Sequence, residues 1–163
     1  MALVLDGSLG VTFPVTAGSA SAVQASSGRV LQVVSSSLSS NVSTSSTSYV
    51  TTGLTASITP SSSSSKVLVI ANTGRFDSDT VGNAIIVALY KNGSEIISPS
   101  TTGFVALVFS VSNASGNSSL NYLDSPATTS STTYALYYKK SGSGNVNFNN
   151  SGVANITLME IAA

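Results

Sequence analysis

Short apolar runs separated by turn-forming residues recur along this chain. Clusters of Gly, Asn, Ser and Pro lie between the runs, and no window carries the i, i+3, i+4, i+7 stripe of an amphipathic helix. Residues 54–59 alternate apolar and hydroxyl side chains, which is the pattern of a half-buried strand. The predicted strands are 29–35, 47–52, 54–59, 66–75, 83–91, 94–97, 103–111, 121–123, 132–140, 145–148 and 153–161.

Two of these runs are apolar on both faces. They are IIVAL at 85–89 and FVALVF at 104–109. Such a run is typical of a central strand or of a strand that meets another subunit. The residues assigned to the core or to an oligomer interface are Ile85, Val87, Leu89, Phe104, Val105, Leu107 and Phe109.

The turn chemistry indicates antiparallel pairing. Asn92-Gly93 lies between two predicted strands, and Asn-Gly is the preferred pair for a type I′ hairpin, in which both central residues need positive φ. Many short strands at such spacing are typical of a sandwich or jelly roll. We therefore expect an all-β fold, a single jelly-roll-like antiparallel β-sandwich over residues 29–163.

Residues 1–28 have a different character. Apolar side chains are spaced along the first half, with breaks at Asp6-Gly7 and Phe13-Pro14, and Ala and Ser dominate up to Gly28. The segment has too little apolar content to fold alone, so we expect an extended N-terminal arm that docks on a partner or exchanges between subunits. The proposed docking residues are Leu3, Leu5, Leu9, Val11 and Phe13.

Composition narrows the class of protein. Ser and Thr supply 52 of 163 residues, yet 42% of the chain is hydrophobic and the formal net charge is zero, so a folded domain is favoured over disorder. Six basic residues are balanced by six acidic ones, so the chain lacks the excess positive charge that is typical of nucleic-acid-binding proteins. No apolar run approaches the roughly 18 residues of a membrane-spanning helix, so membrane insertion is not expected. The N-terminus has an acid where a signal peptide has basic residues, and we interpret Met1 as the start of a protein made inside the cell.

The usual parts of an enzyme are missing from the sequence. The chain has no His and no Cys, so no imidazole base and no thiolate is available, and no phosphate-binding glycine loop occurs. We expect no catalytic residue, no cofactor and no dedicated metal site. Asp77 and Asp79, two apart in RFDSDT, are interpreted as a solvated turn, with an oxygen-ligand cation site as the alternative.

The stretch 28–72 carries a resemblance. Its elements are a basic residue followed by VLQVV (29–34), a Ser/Thr stretch ending in Tyr (43–49), TGLTASITP (52–60) and SSSKVLV (63–69). This segment resembles one that recurs in bacteriophage virion proteins, including those of cyanophages. The hairpin LYKNG (89–93) is similar to a further element of that family, and LDGSLGVTFP (5–14) is similar to the leader of many phage tail-fibre proteins.

The resemblance implies a virion component, a fibre or surface-decoration module that is often trimeric. We expect a tail fibre or tail-associated fibre module, with a capsid decoration (cement) protein on the outer head surface as the alternative. The expected location is the tail or capsid surface, after synthesis in the bacterial host cytoplasm. The expected partners are other copies of the chain in a homotrimer and other virion proteins.

A carbohydrate-binding module that recognises a host surface glycan is a further alternative. Tyr and Asn side chains on the loops after residue 98 are the residue types that such a site uses. The candidate receptor-facing residues are Asn113, Asn117, Asn121 and Tyr122.

Overall fold

The computed structural model describes residues 4–6, 10–12, 28–97, 105–111 and 114–163, and only the backbone of 4–6, 10–12, 105 and 106. Within these ranges the chain is all-β and contains no helix, hence none that could cross a membrane. The strands are β1 (Val4–Asp6), β2 (Gly10–Thr12), β3 (Val30–Leu38), β4 (Val42–Thr44), β5 (Val50–Ile58), β6 (Lys66–Asn72), β7 (Phe76–Ser78), β8 (Ala84–Lys91), β9 (Ser94–Ile97), β10 (Val105–Val108), β11 (Ser115–Gly116), β12 (Ser119–Asp124), β13 (Thr132–Ser141), β14 (Val146–Phe148) and β15 (Ala154–Ile161).

Two antiparallel layers enclose one hydrophobic core. The first sheet has the order β12-β6-β15-β3, and the short sheet β11-β7-β14-β4 extends it, because each short strand adjoins in sequence the strand in the same place of the first sheet. The second sheet has the order β10-β8-β13-β5, with β9 paired to β8. These layers confirm the predicted all-β antiparallel fold, and their arrangement is consistent with a β-sandwich.

The core forms where the strands alternate. In β5, β13 and β15 every second side chain is buried, and in β5 the intervening positions are hydroxyl side chains and one glycine. Side chains from both sheets and from the short sheet belong to a single cluster, including Leu54, Val69, Leu136 and Leu158. Burial of each such aliphatic side chain contributes about 1.5–3 kcal/mol to the free energy of unfolding.

Some boundaries differ from the predicted ones. The runs 47–52 and 54–59 are one strand, β5, which bulges at Gly53 where φ is 83°. Thr52 Oγ1 donates to the carbonyl of Leu136 at 2.8 Å and replaces a ladder bond there. The predicted run 66–75 is shorter in the structure, where β6 ends at Asn72 and a turn at Gly74, with φ of 65°, separates it from β7.

The N-terminal segment is described only in part. The backbones of β1 and β2 pair antiparallel, with Leu5 opposite Val11, so the chain reverses after Asp6 and forms a hairpin where one extended arm was expected. Predicted docking residues Leu3, Leu9 and Phe13 lie outside the described residues, as do the side chains of Leu5 and Val11. The division between an arm and a domain at residue 28 stays a prediction.

The sandwich has two distinct ends. At one end, which we call the termini end, the amide of Gly28 donates to the carbonyl of Ala162 at 2.7 Å. The strand registers place the connection 59–65, the β8–β9 hairpin and the connection 125–131 at this same end. In the hairpin Asn92 and Gly93 have φ of 49° and 80°, as its sequence predicted.

The opposite end, which we call the loop end, gathers four connections. Residues 45–49, 79–83, 142–145 and the described part of 109–114 join strands that finish there. Two hydrogen bonds join these connections to one another, from Gly82 N to Phe109 O at 2.8 Å and from Asn145 N to Asp79 Oδ1 at 3.3 Å. A third, from Lys140 N to Ser46 O at 2.9 Å, joins the connection 45–49 to the end of β13.

Candidate functional site

A polar cleft of about 230 Å³ lies at the loop end, on the solvent face of the short sheet. Strands β7 and β14 supply its floor, because Asp77 and Asn147 are register partners on these adjacent strands. The residues that line it are Arg75, Asp77, Ser78, Asp79, Asn147 and Asn150.

The Asp77 carboxylate is the centre of this cleft. Asn147 Nδ2 donates to its Oδ1 at 2.6 Å, and Asn150 Nδ2 donates to its Oδ2. The Arg75 guanidinium lies 3.9 Å from Oδ2. Although Asp77 is largely buried, about half of the Arg75 side chain remains exposed. The carboxylate is thus held in one orientation by two amides and a cation.

Local backbone geometry brings these groups together. The amide of Asn150 donates to the carbonyl of Arg75 at 2.9 Å, which ties the turn after β14 to the turn before β7. Asn149 adopts a φ of 57° and donates from Nδ2 to the carbonyl of Leu38 at 2.8 Å. A Cβ on Gly74 would overlap the Oδ1 of Asn149, so only glycine fits there. The turn after β14 is therefore tied both to the turn before β7 and to the end of β3, which fixes the position of the cleft residues.

The Asp77–Asp79 interpretation requires a correction. Asp77 lies within β7 and is buried, so it is not part of a solvated turn, whereas Asp79 is exposed and follows the strand. Asp79 Oδ1 accepts a bond from Thr80 Oγ1 at 2.8 Å. Among the described residues, no group of three or more His, Cys, Asp or Glu side chains is placed to hold a metal ion.

The donor set indicates which ligands the cleft suits. Its rim offers amide, guanidinium, hydroxyl and carboxylate groups within one small volume, so it can donate and accept hydrogen bonds at once. A neutral polar ligand with neighbouring hydroxyl groups matches this set.

Two other acidic side chains are buried at the termini end. Asp124 accepts a hydrogen bond from the hydroxyl of Tyr134 at 2.6 Å and pairs with Lys91 Nζ at 2.9 Å. Burial, followed by this bond to Asp124, raises the pKa of Tyr134. These contacts join β12, β13 and β8, and both carboxylate oxygens of Asp124 have protein partners.

Glu160 forms the second buried group. Its carboxylate accepts from Gln32 Nε2 at 2.6 Å, from the Ser61 amide at 2.7 Å and from Ser61 Oγ at 2.6 Å. Burial alone would raise its pKa, but the hydrogen bonds from Ser61, Gln32 and Ser65 outweigh it and lower the pKa to about 2. The serine connection after β5 is thereby anchored to β15.

The residues predicted for core or interface can now be placed. Ile85, Val87, Leu89 and Phe109 are buried in the chain's own core, and Leu107 is partly buried against it. The other face of β8 is buried as well, since Ile86 and Ala88 are covered within the same chain. Phe104 and the side chain of Val105 lie outside the described residues. The two-faced apolar pattern of β8 therefore reflects a central strand.

The candidate receptor-facing residues are not brought together in one site. Asn117 is exposed just before the edge strand β12, and Asn121 is exposed on that strand. Tyr122 is on the inner face and packs against the core. Asn113 lies outside the described residues. The polar cleft at the loop end was instead missed, because its residues come from segments about 70 positions apart.

A tyrosine cluster covers the solvent face of the second sheet. Tyr90 and Tyr137 stack with ring centroids 4.0 Å apart, and Tyr49 meets Tyr90 edge-on at 6.0 Å. Lys139 Nζ lies 4.3 Å from the centroid of the Tyr49 ring. Because the rings pack on one another, this cluster explains the burial of the outer face of β8.

No family model matches the chain, and no curated protein matches it either.

Proposed function

We propose that this protein is a non-enzymatic structural component of a bacteriophage virion. In this proposal it is a tail fibre or tail-associated fibre module, attached by its N-terminal segment and projecting an oligomeric, trimeric β domain. The observation that carries the proposal is the separation of the two ends. The segment that precedes Gly28 joins the sandwich at the termini end, while four connections gather at the loop end.

The strand order supports a jelly roll as the finer description of the sandwich. Counting β3 with β4, β6 with β7, β11 with β12 and β14 with β15, and leaving out the hairpin strand β9, gives eight strands in the two layers. Numbered 1 to 8 in chain order, they occur as 6-3-8-1 in one layer and 5-4-7-2 in the other. This interleaved order is that of two nested Greek keys, and jelly rolls recur in viral capsid proteins.

The arrangement of acidic groups favours a structural role over catalysis. Asp124 and Glu160 are saturated by partners at the termini end, and Asp77 is held by two asparagines and Arg75. General acid–base catalysis needs a group that can reach a substrate and exchange a proton with it. These contacts favour carboxylates that fix connections in place.

A capsid decoration protein is the alternative location. A compact sandwich with an N-terminal segment at one end also suits attachment to a shell surface, so the fold supports both placements. Gold-labelled antibody on purified virus particles, viewed by electron microscopy, distinguishes them. Label confined to the tail supports the fibre, label spread over the head supports decoration, and particles without label would contradict a virion role.

Glycan recognition is a second candidate function, favoured by the polar cleft at the loop end. The test is binding of the full-length protein to a glycan array, compared with Arg75→Ala in the cleft and Lys66→Ala on an exposed strand position outside it. Loss of binding in Arg75→Ala alone supports a sugar site. An array without any bound glycan would leave the structural role by itself.

A further inference from the structure

An uncharged apolar stripe crosses the solvent face of the first sheet. Leu123, Leu68, Met159 and Val33 are successive register partners on β12, β6, β15 and β3, so their side chains share one face. The opposite face of the same strands fills the core. Val33 is 56% exposed and Leu123 is 49% exposed, whereas Leu68 and Met159 are half-buried between them.

Neighbouring positions widen this stripe. Ile70 lies beside it on β6 and is exposed, and Leu31 lies beside it on β3, also exposed. The charged side chains next to it are Arg29 and Lys66, at the margin nearest the termini end. A contiguous apolar surface on a soluble protein marks an interaction site more often than an isolated exposed residue does.

The size of the stripe argues against two whole sandwiches packing face to face. Four strands about 4.8 Å apart make it about 14 Å wide, and it covers on the order of a few hundred Å². A stable interface between folded proteins buries about 800 Å² on each partner. A narrower occupant, such as a two-stranded ribbon, fits this surface better.

The N-terminal segment has the matching chemistry. Its described strands, β1 and β2, form a separate two-stranded sheet that pairs with no other described strand, and such a hairpin is marginally stable without a surface to pack on. Asp6 is the only charged side chain in residues 1–27, and it would complement Lys66 and Arg29 at the margin. Gly28 lies at this same corner of the sheet, and the 15 residues from 13 to 27 that precede it could span up to about 50 Å when extended.

We propose that the N-terminal segment of a second copy of this chain docks on this stripe. In the trimer of the proposed function each copy receives the segment of its neighbour, so the contact is head-to-tail around a closed ring of three. The inference rests on the oligomer of the proposed function, and it moves the subunit contact from the strands around residues 85–109 to the first sheet.

Crosslinking in the full-length chain tests this directly, because the protein has no cysteine of its own. A Val11→Cys, Val33→Cys double variant is treated with a short bismaleimide and compared with Val11→Cys, Ser57→Cys, whose second site is an exposed position on the second sheet. We expect covalent products between chains in the first variant, at least fivefold above the second. Equal yields, or a product within one chain only, would overturn the proposal.

A single Val33→Cys variant tests whether a second sandwich, rather than the N-terminal segment, occupies the stripe. If it crosslinks to itself as efficiently as the double variant, the sandwiches meet face to face and the segment is not the occupant.

Val33→Asp and Leu123→Asp test the energetics of the contact. A carboxylate on the stripe should shift the protein toward monomer in sedimentation, while the circular dichroism spectrum stays unchanged. An unchanged oligomer in both folded variants would contradict the inference. All readouts use purified protein, so they are independent of whether the protein is found on virus particles.

Discussion

A buried carboxylate lies at each end of the sandwich, but the two differ in how far their surroundings are open to solvent. At the termini end Glu160 is fully buried and accepts hydrogen bonds from Gln32 and Ser61. At the loop end Asp77 is also largely buried but lies in an open cleft with a partly exposed Arg75 above it. The first arrangement is closed and fixes a connection, while the second leaves donor groups facing solvent. Both carboxylates are held by internal partners, so the difference lies in the open cleft, where a ligand can reach the groups around Asp77.

Removal of Glu160 should have the largest effect on stability. Glu160→Ala removes the acceptor of three hydrogen bonds, and bonds to a charged group contribute about 1.5–3 kcal/mol each. Because Ser61 is exposed and Gln32 is partly buried, water replaces part of this contribution. We expect a loss of about 3 kcal/mol in the free energy of unfolding, measured by urea denaturation. A loss below about 1 kcal/mol would mean that water replaces the carboxylate and that the termini end is not closed.

Acid should weaken the same site. The folded-state pKa of Glu160 is lowered from 4.5 to about 2, so the unfolded state binds the proton more readily. The stabilisation from Glu160 is complete above about pH 4.5 and is lost as the pH falls toward 2. Urea denaturation between pH 6 and pH 2.5 measures it, with Glu160→Gln as the control. An equally steep pH dependence in that variant would assign the acid sensitivity to other groups.

Two tyrosines on the same face of β13 extend the comparison. The hydroxyl of Tyr134, near the termini end, donates to Asp124 at 2.6 Å, whereas the hydroxyl of Tyr138, nearer the loop end, is buried without a hydrogen-bond partner among the described residues. Burial raises the pKa of Tyr138 to about 12. Tyr134→Phe should cost about 1.5–3 kcal/mol, and Tyr138→Phe should be neutral or slightly stabilising. Thermal unfolding of both variants measures the difference, and equal losses would contradict it.

Sequence patterns anticipate the strands better than the acidic sites. Alternation and turn residues identify β5, β8, β13 and β15, because the signal for each strand lies within ten residues. The burial of Asp77 and Glu160 depends on Asn147 and Gln32, which are 70 and 128 positions away. Such contacts arise only once the sheets have assembled, so a local pattern cannot contain them. The apolar run at 85–89 could be a central strand or a subunit contact, because the groups that cover its outer face also come from distant parts of the sequence.

The smallest expected effect belongs to the cleft itself. Asp77→Ala removes the acceptor of Asn147 and Asn150, but these amides lie beside open solvent and can bond to water instead. We expect a loss of about 1 kcal/mol for Asp77→Ala and less than about 0.5 kcal/mol for the matched control Asp79→Ala, whose side chain is exposed. Chemical denaturation compares the two variants with the parent protein. A loss for Asp77→Ala as large as that for Glu160→Ala would show that the loop end is as closed as the termini end, and the cleft would then have no free capacity for a ligand.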